Sequence, residues 1–165
     1  MSGNVTDQYA LPAAVTLLGV YQLGVRFTTA VVKSRQKFQI KVPDTNGPAE
    51  FNRTYRAHQN TLEYYTLSLA CLWISAIFFH PVPASLAYFG YLVGRQMYFW
   101  GYVKDVDNRI SGFYISIKCL VVLFALSIWG VTHKLLRYYT DIDVYQLLCD
   151  HIPLLKGELL PHGEL

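Results

Sequence analysis

Two short polar stripes carry the chemistry this chain could do. The first lies in FNRTYRAHQNTLEYY, residues 51–65, where Arg56, Asn60, Glu63 and Tyr64 stand at i, i+4, i+7 and i+8. On a helix that spacing puts all four on one face. The second is Tyr91, Arg95, Tyr98 and Tyr102, again one helical face, and continued helical phase carries it close to Arg109. Arg35 supplies a further cation from the end of an earlier apolar run. Guanidiniums grip carboxylates bidentately, a carboxylate such as Glu63 accepts from an amine, and an amide such as Asn60 can use both of its faces. A small zwitterion with extra carboxylates would satisfy the whole set. The plainer alternative pairs Arg56 with Glu63 inside a helix bundle and leaves the tyrosines to an interfacial belt.

The elements that must hold these stripes are apolar and long. Residues 9–32, 57–79, 84–103 and 110–133 form four apolar segments, and at about 1.5 Å per residue each can cross a hydrocarbon core of about 30 Å. The expected fold is an all-α membrane protein, a four-transmembrane-helix bundle forming a single domain over residues 1–165. A composition that is 53% hydrophobic, with 13 Tyr, 9 Phe and 3 Trp, suits such a bundle better than a water-soluble domain. His80-Pro81-Val82-Pro83 marks a compact stop between the second and third segments. Polar groups at the mouth of a spanning helix are costly unless they meet each other or a ligand, which makes residues 51–65 the default site.

Charge placement orients the bundle. Lys33, Arg35, Lys37, Lys41, Arg53 and Arg56 surround the first connection, and Arg95, Lys104, Arg109 and Lys118 the third; the second has none, and neither does the chain before Arg26. By the positive-inside rule the first and third connections face the cytosol. The formal charge of +3 gives no reason to invoke a nucleic acid. Cys71, Cys119 and Cys149 lack metal-ligand spacing and read as small buried hydrophobes. No metal is expected. The opening MSGNVTDQYALPA has no basic n-region, so the first apolar run is expected to stay as a span. The tail, residues 140–165, has Ile142, Tyr145, Leu148 and Cys149 near helical spacing, and its Asp141, Asp143, His151 and His162 make no metal signature. No inverted repeat or broken helix suggests a transporter.

FNRTYRAHQNTLEYY, then GRQMYFWGY, then NRISGF together resemble the MAPEG family of membrane-associated proteins in eicosanoid and glutathione metabolism, over roughly residues 13–129. The likeness is nearest to the family's glutathione-transferase and leukotriene-synthase branch. It implies a homotrimer in the endoplasmic reticulum membrane and nuclear envelope, with glutathione as co-substrate bound in a bent form between protomers. The family's glutathione contacts fall on Arg35, Arg56, His58, Asn60, Glu63, Tyr64, Tyr98 and Tyr102, with His58 where a glutamine is often found. The catalytic arginine falls on Arg109, which with Tyr98 and Tyr102 is expected to come from a neighbouring protomer.

The implied mechanism follows from charge. A thiol with an unperturbed pKa of about 8.5 is mostly protonated at neutral pH. A permanently charged Arg109 beside the sulfur would favour the thiolate, which attacks an electrophile arriving from the lipid: an allylic epoxide, as in conversion of leukotriene A4 to leukotriene C4, or a lipid hydroperoxide. Arginine stays protonated, so the proton leaves through water. Three positions depart from the pattern. A second arginine of the synthase branch is Gln36 here, a proline after the Glu-containing turn is Thr66, and Arg26 has no counterpart. Gln36 favours a broad transferase and peroxidase over a dedicated leukotriene synthase. The competing reading is a non-catalytic arachidonate-binding scaffold like the family's lipoxygenase-activating members, set against by the retention of Arg56 and Arg109.

Overall fold

The computed structural model describes residues 5–140. The expected tail helix and its Asp141, Asp143, Cys149, His151 and His162 lie outside the described residues, as do residues 1–4. A single turn, Val5–Gln8, leads into four long helices. They are α1 (Ala10–Phe38), α2 (Ala49–Phe78), α3 (Pro81–Lys104) and α4 (Ile110–Thr140), the last entered through a 3₁₀ turn at Asp107–Arg109. Each runs beyond its apolar window, because polar residues can continue a helix out of a membrane but cannot be counted as part of the apolar run.

The helices stop where the local chemistry requires it. α1 closes on Gln39, whose left-handed backbone (φ 56°) lets Ile40 N–H reach the Arg35 carbonyl at 3.0 Å, the six-to-one bond of a Schellman end. α2 starts after Pro48. His80 both ends α2 and caps α3: its Nδ1 accepts from Val82 N–H at 3.2 Å, with proline in the first turn, where a missing N–H costs nothing. The HPVP stop is therefore also a start.

Ala10–Phe38, Ala49–Phe78 and the stretch Asp107–Thr140 are each long and apolar enough to cross a membrane. α3 falls short of that apolarity because its sequence carries Arg95 and several tyrosines, and it turns these inward: Tyr88, Tyr91, Arg95, Tyr98 and Tyr102 are all buried. The outward faces carry Leu17, Leu86, Val121 and Phe124, each more than half exposed. Such a surface would be costly in water and suits lipid. These three apolar helices and the exposed aliphatic belt support the membrane reading.

Small residues let the helices approach closely. A Cβ on Gly112 would land on the backbone of Met97 and Tyr98, and one on Gly94 would meet Ser116 N at 2.5 Å. α3 and α4 thus pack backbone to backbone, the arrangement that small residues permit between membrane helices. Ser127 Oγ donates to the Cys71 carbonyl at 3.0 Å, tying α4 to α2. One core cluster gathers Leu72, Ala76, Tyr88 and Leu123; a second gathers Leu23, Phe27, Ala57 and Phe99, with Phe27 and Phe99 stacked at 4.0 Å. Cys71 is a free buried thiol, as expected, while Cys119 is only half-buried. The polar stripes run from the first cluster, which holds Tyr91 with Tyr64 against it, to the second, which holds Tyr98 and Tyr102, toward the basic end of the bundle.

Candidate functional site

Arg95 organises the site. It is fully buried, and its Nη1 donates to Asn60 Oδ1 at 3.0 Å. Its guanidinium lies 4.4 Å from the ring centre of Tyr64, 5.2 Å from that of Tyr98 and 5.4 Å from that of Tyr91. Buried charge needs compensation, and here one amide oxygen and three aromatic faces supply it. The two sequence stripes therefore meet: Asn60 and Tyr64 of α2 are joined to Tyr91 and Tyr98 of α3 through this side chain. Spacing along α3 puts Arg95 in its stripe, and the register of α2 against α3 gives it a partner.

Arg109 is set by the turn between α3 and α4. Asp105 Oδ1 accepts from Asp107 N–H at 3.0 Å, closing the turn, and Gly101 has no side chain to push Asn108 away. The Arg109 guanidinium comes to rest 4.6 Å from the centre of the Tyr102 ring. Tyr102 packs edge-on to Tyr98, and Tyr98 leans on Phe113.

Asn60, Tyr98 and Arg109 line one cavity of about 370 Å³, with Ile110, Phe113 and Tyr114 on its α4 side. All belong to one chain. The short α3–α4 turn brings Arg109 to the same cavity as Asn60 within the chain. Phe113 and Tyr114 were not singled out from the sequence. The helical spacing from Arg109 and Ile110 was the signal available for them.

Arg56 and Glu63 continue the Asn60 face of α2 and are exposed. Neither forms an ion pair among the described residues, so the plainer alternative in which they neutralise each other is not what the bundle does. Arg35 and His58 are elsewhere, in a separate groove between α1 and α2. Arg35 Nη1 donates to the Asp44 carbonyl at 2.7 Å, and its guanidinium stacks over Phe51 and Tyr55. His58 Nε2 is 3.2 Å from Thr28 Oγ1. The nine positions thus divide into an α2–α3–α4 group around Arg95 and an α1–α2 pair on another face.

Arg26, unexplained by sequence, now has neighbours. With the Gln96 amide oxygen turned toward them, Gln96 accepts from Trp100 Nε1 at 2.6 Å and from Arg26 Nη2 at 3.2 Å. Arg26 sits in a π-helical stretch, Tyr21–Phe27, whose Leu23 carbonyl is taken by Thr28 Oγ1 at 3.0 Å.

A membrane bundle with a cationic, tyrosine-lined cavity between three helices matches one described class. The sequence fits the MAPEG family over residues 11–129. The chain belongs to the MAPEG family. It is 42% identical over 125 residues to leukotriene C4 synthase of Cavia porcellus, covering 76% of this chain and 83% of that one. It is 37% identical over 139 residues to microsomal glutathione S-transferase 2 of Mus musculus (84% and 94% covered), and 35% identical over 148 residues to that of Homo sapiens (90% and 97%).

Proposed function

We propose that this chain is a membrane-bound glutathione transferase in which Arg109 holds the thiol of glutathione as thiolate. The single observation that carries the reading is the cavity shared by Asn60, Tyr98 and Arg109, with Arg56 and Glu63, neither in an ion pair among the described residues, along the same α2 face. The side chains fit the ligand's chemistry. Guanidiniums answer the two carboxylates, Glu63 answers the amine, and Asn60, with its oxygen held by Arg95, presents its amide N–H₂ as a donor. Tyr102 under Arg109 limits where that guanidinium can point. The family relatives named for glutathione transfer and leukotriene C4 synthesis support the same assignment.

The electrophile is lipophilic and enters from the bilayer. A second cavity of about 290 Å³, lined only by Leu67, Cys71, Leu120, Val121 and Phe124, lies between α2 and α4. Leu67 is seven residues beyond Asn60, about 10 Å deeper along α2. A hydrocarbon chain held there would present its reactive end to the thiolate at Arg109. The thiolate opens the C–O bond of an allylic epoxide, leukotriene A4 among them, or breaks the O–O bond of a lipid hydroperoxide. The latter step gives an alcohol and a sulfenic acid that a second glutathione converts to the disulfide and water. The protomers assemble as a homotrimer of four-span chains in the endoplasmic reticulum membrane and nuclear envelope, with the Arg109 end toward the cytosol. The supports for this are the basic first and third connections and, for Arg35 and His58, their place on a separate face where a neighbour's glutathione could reach them.

The test is conjugation of glutathione to a chromogenic electrophile in detergent, with Arg56→Ala and Arg109→Ala beside the wild type. Arg56→Ala is expected to raise the apparent glutathione constant, and Arg109→Ala to lower turnover. Glutathione binding without turnover in the wild type would sink the enzyme and leave the arachidonate-binding scaffold, which the apolar cavity alone would also suit.

A further inference from the structure

The face of α1 that turns toward α3 bears a second arrangement that the glutathione site does not use. Arg26, Ala30, Lys33 and Lys37 recur at helical spacing along α1, and Val93, Gln96, Trp100 and Lys104 along α3. At the basic end these two rows open into a cavity of about 460 Å³, closed on its third side by the start of α2. Its charged lining consists of Lys33, Lys37, Lys104 and Arg53 with a single carboxylate, Glu50, which is bound to Lys37 at 2.7 Å. Lys33, Arg53 and Lys104 form no ion pair among the described residues. Arg53 is fixed in place by its Nε, which donates to the Val103 carbonyl at 3.4 Å.

Further along the same two helices, away from the basic end, lies another cavity of about 230 Å³, walled by Leu18, Phe89, Val93 and Met97 with Arg26 and Gln96 at its rim. Trp100 borders the basic cavity while its Nε1 bonds to the Gln96 amide that also meets Arg26. The groove is thus apolar at depth, hydrogen-bonding at mid-height and cationic at the mouth. That sequence of environments is the profile of an anionic amphiphile standing upright in a bilayer.

We propose that the α1–α3 groove binds an anionic glycerophospholipid, with its phosphate on Lys33, Arg53 and Lys104 and an acyl chain along Phe89, Val93 and Met97. Phosphate is the class of ligand this mouth selects, because three cations converge on it and its single acid is already paired. The apolar floor distinguishes a lipid from a free anion. Basic side chains at a membrane surface attract anionic lipid by about 1 kcal/mol each, so the loss of two is expected to weaken binding roughly 30-fold.

Native mass spectrometry of the full chain in detergent tests this with phosphatidylserine and phosphatidylcholine of equal acyl composition. Glycerophosphoserine and inorganic phosphate serve as soluble competitors. Phosphatidylserine is expected to be retained at one per chain, to resist both competitors, and to weaken roughly 30-fold in Lys33→Gln/Lys104→Gln. Lys118→Gln/Lys134→Gln, which removes two charges from α4, is expected to bind it as the wild type does. Unfolding curves in phosphatidylcholine establish that the groove variant is folded. Equal retention of phosphatidylcholine, displacement by either soluble competitor, or undiminished binding to the folded groove variant would each overturn the proposal. None of these readouts depends on glutathione turnover.

Discussion

Replacing Arg95 by methionine should separate its positioning role from its part in stability. The change removes one charge-assisted hydrogen bond, worth about 1.5–3 kcal/mol, and three aromatic contacts worth about 0.5–2 kcal/mol each. It also removes two buried donors, Nε and Nη2, that form no hydrogen bond among the described residues. Burying such donors costs about 1–3 kcal/mol apiece, so most of the loss is offset, a net of about 1–3 kcal/mol remains, and the melting temperature should fall by only a few degrees. Binding should not be offset in the same way. Without the 3.0 Å bond from Arg95 the Asn60 amide is free to turn, and the loss of one oriented hydrogen bond, about 1.4 kcal/mol, raises KM for glutathione roughly tenfold at near-constant kcat. Steady-state kinetics in detergent with Arg95→Met, Asn60→Ala and the double variant completes the cycle. If Arg95 acts through Asn60, the double variant should be little worse than Asn60→Ala alone. Additivity within about 0.3–0.5 kcal/mol would show the two residues act independently and refute the reasoning.

Gly112→Ala should destabilise the bundle by about 1–3 kcal/mol, read as a lower unfolding temperature, since its methyl meets the Met97–Tyr98 backbone and not a side chain that could move. In a pH–rate profile of conjugation, activity rises as the thiol ionises; Arg109→Ala should move the apparent pKa up toward the free-thiol value of about 8.5, and an unmoved profile would remove Arg109 from that role. Because Arg35 and His58 line a groove apart from Arg109, co-expressed Arg35→Ala and Arg109→Ala chains should regain activity in mixed assemblies that neither variant has alone. A site confined to one chain would give no recovery.

Helix identity was legible from apolar periodicity, and so was the face of α3 that carries Tyr91, Arg95, Tyr98 and Tyr102, because both depend on local spacing. Helix ends were less so. α2 begins at Ala49, well before its apolar run, because the polar turn containing Phe51 and Thr54 is held by Pro48 and by packing of Phe51, not by hydrophobicity. The partition of the candidate site was not legible at all. Arg35 looks like one more guanidinium for a ligand until the chain folds and its Nη1 is found on the Asp44 carbonyl. Arg95 looks like one of several interfacial cations until the register of α2 against α3 sets it against Asn60. Both depend on contacts between residues distant in sequence, which spacing along one helix cannot report.

The π-helical stretch Tyr21–Phe27 sets the phase of α1. Its wide turn holds roughly one residue more than an α-helix would need, about 100° of rotation, while Val15 and Gly19 before it and Val31 after it still point into the bundle. Gly24 within the stretch has no neighbour within 4 Å of where a side chain would begin. Deleting one residue near Gly24 would wind the stretch back to α-helix and turn one flank by about 100° against the other, so Leu23 and Phe27, which belong to the second core cluster, could not both keep their places. The wide turn therefore fixes the phase between the two halves of α1.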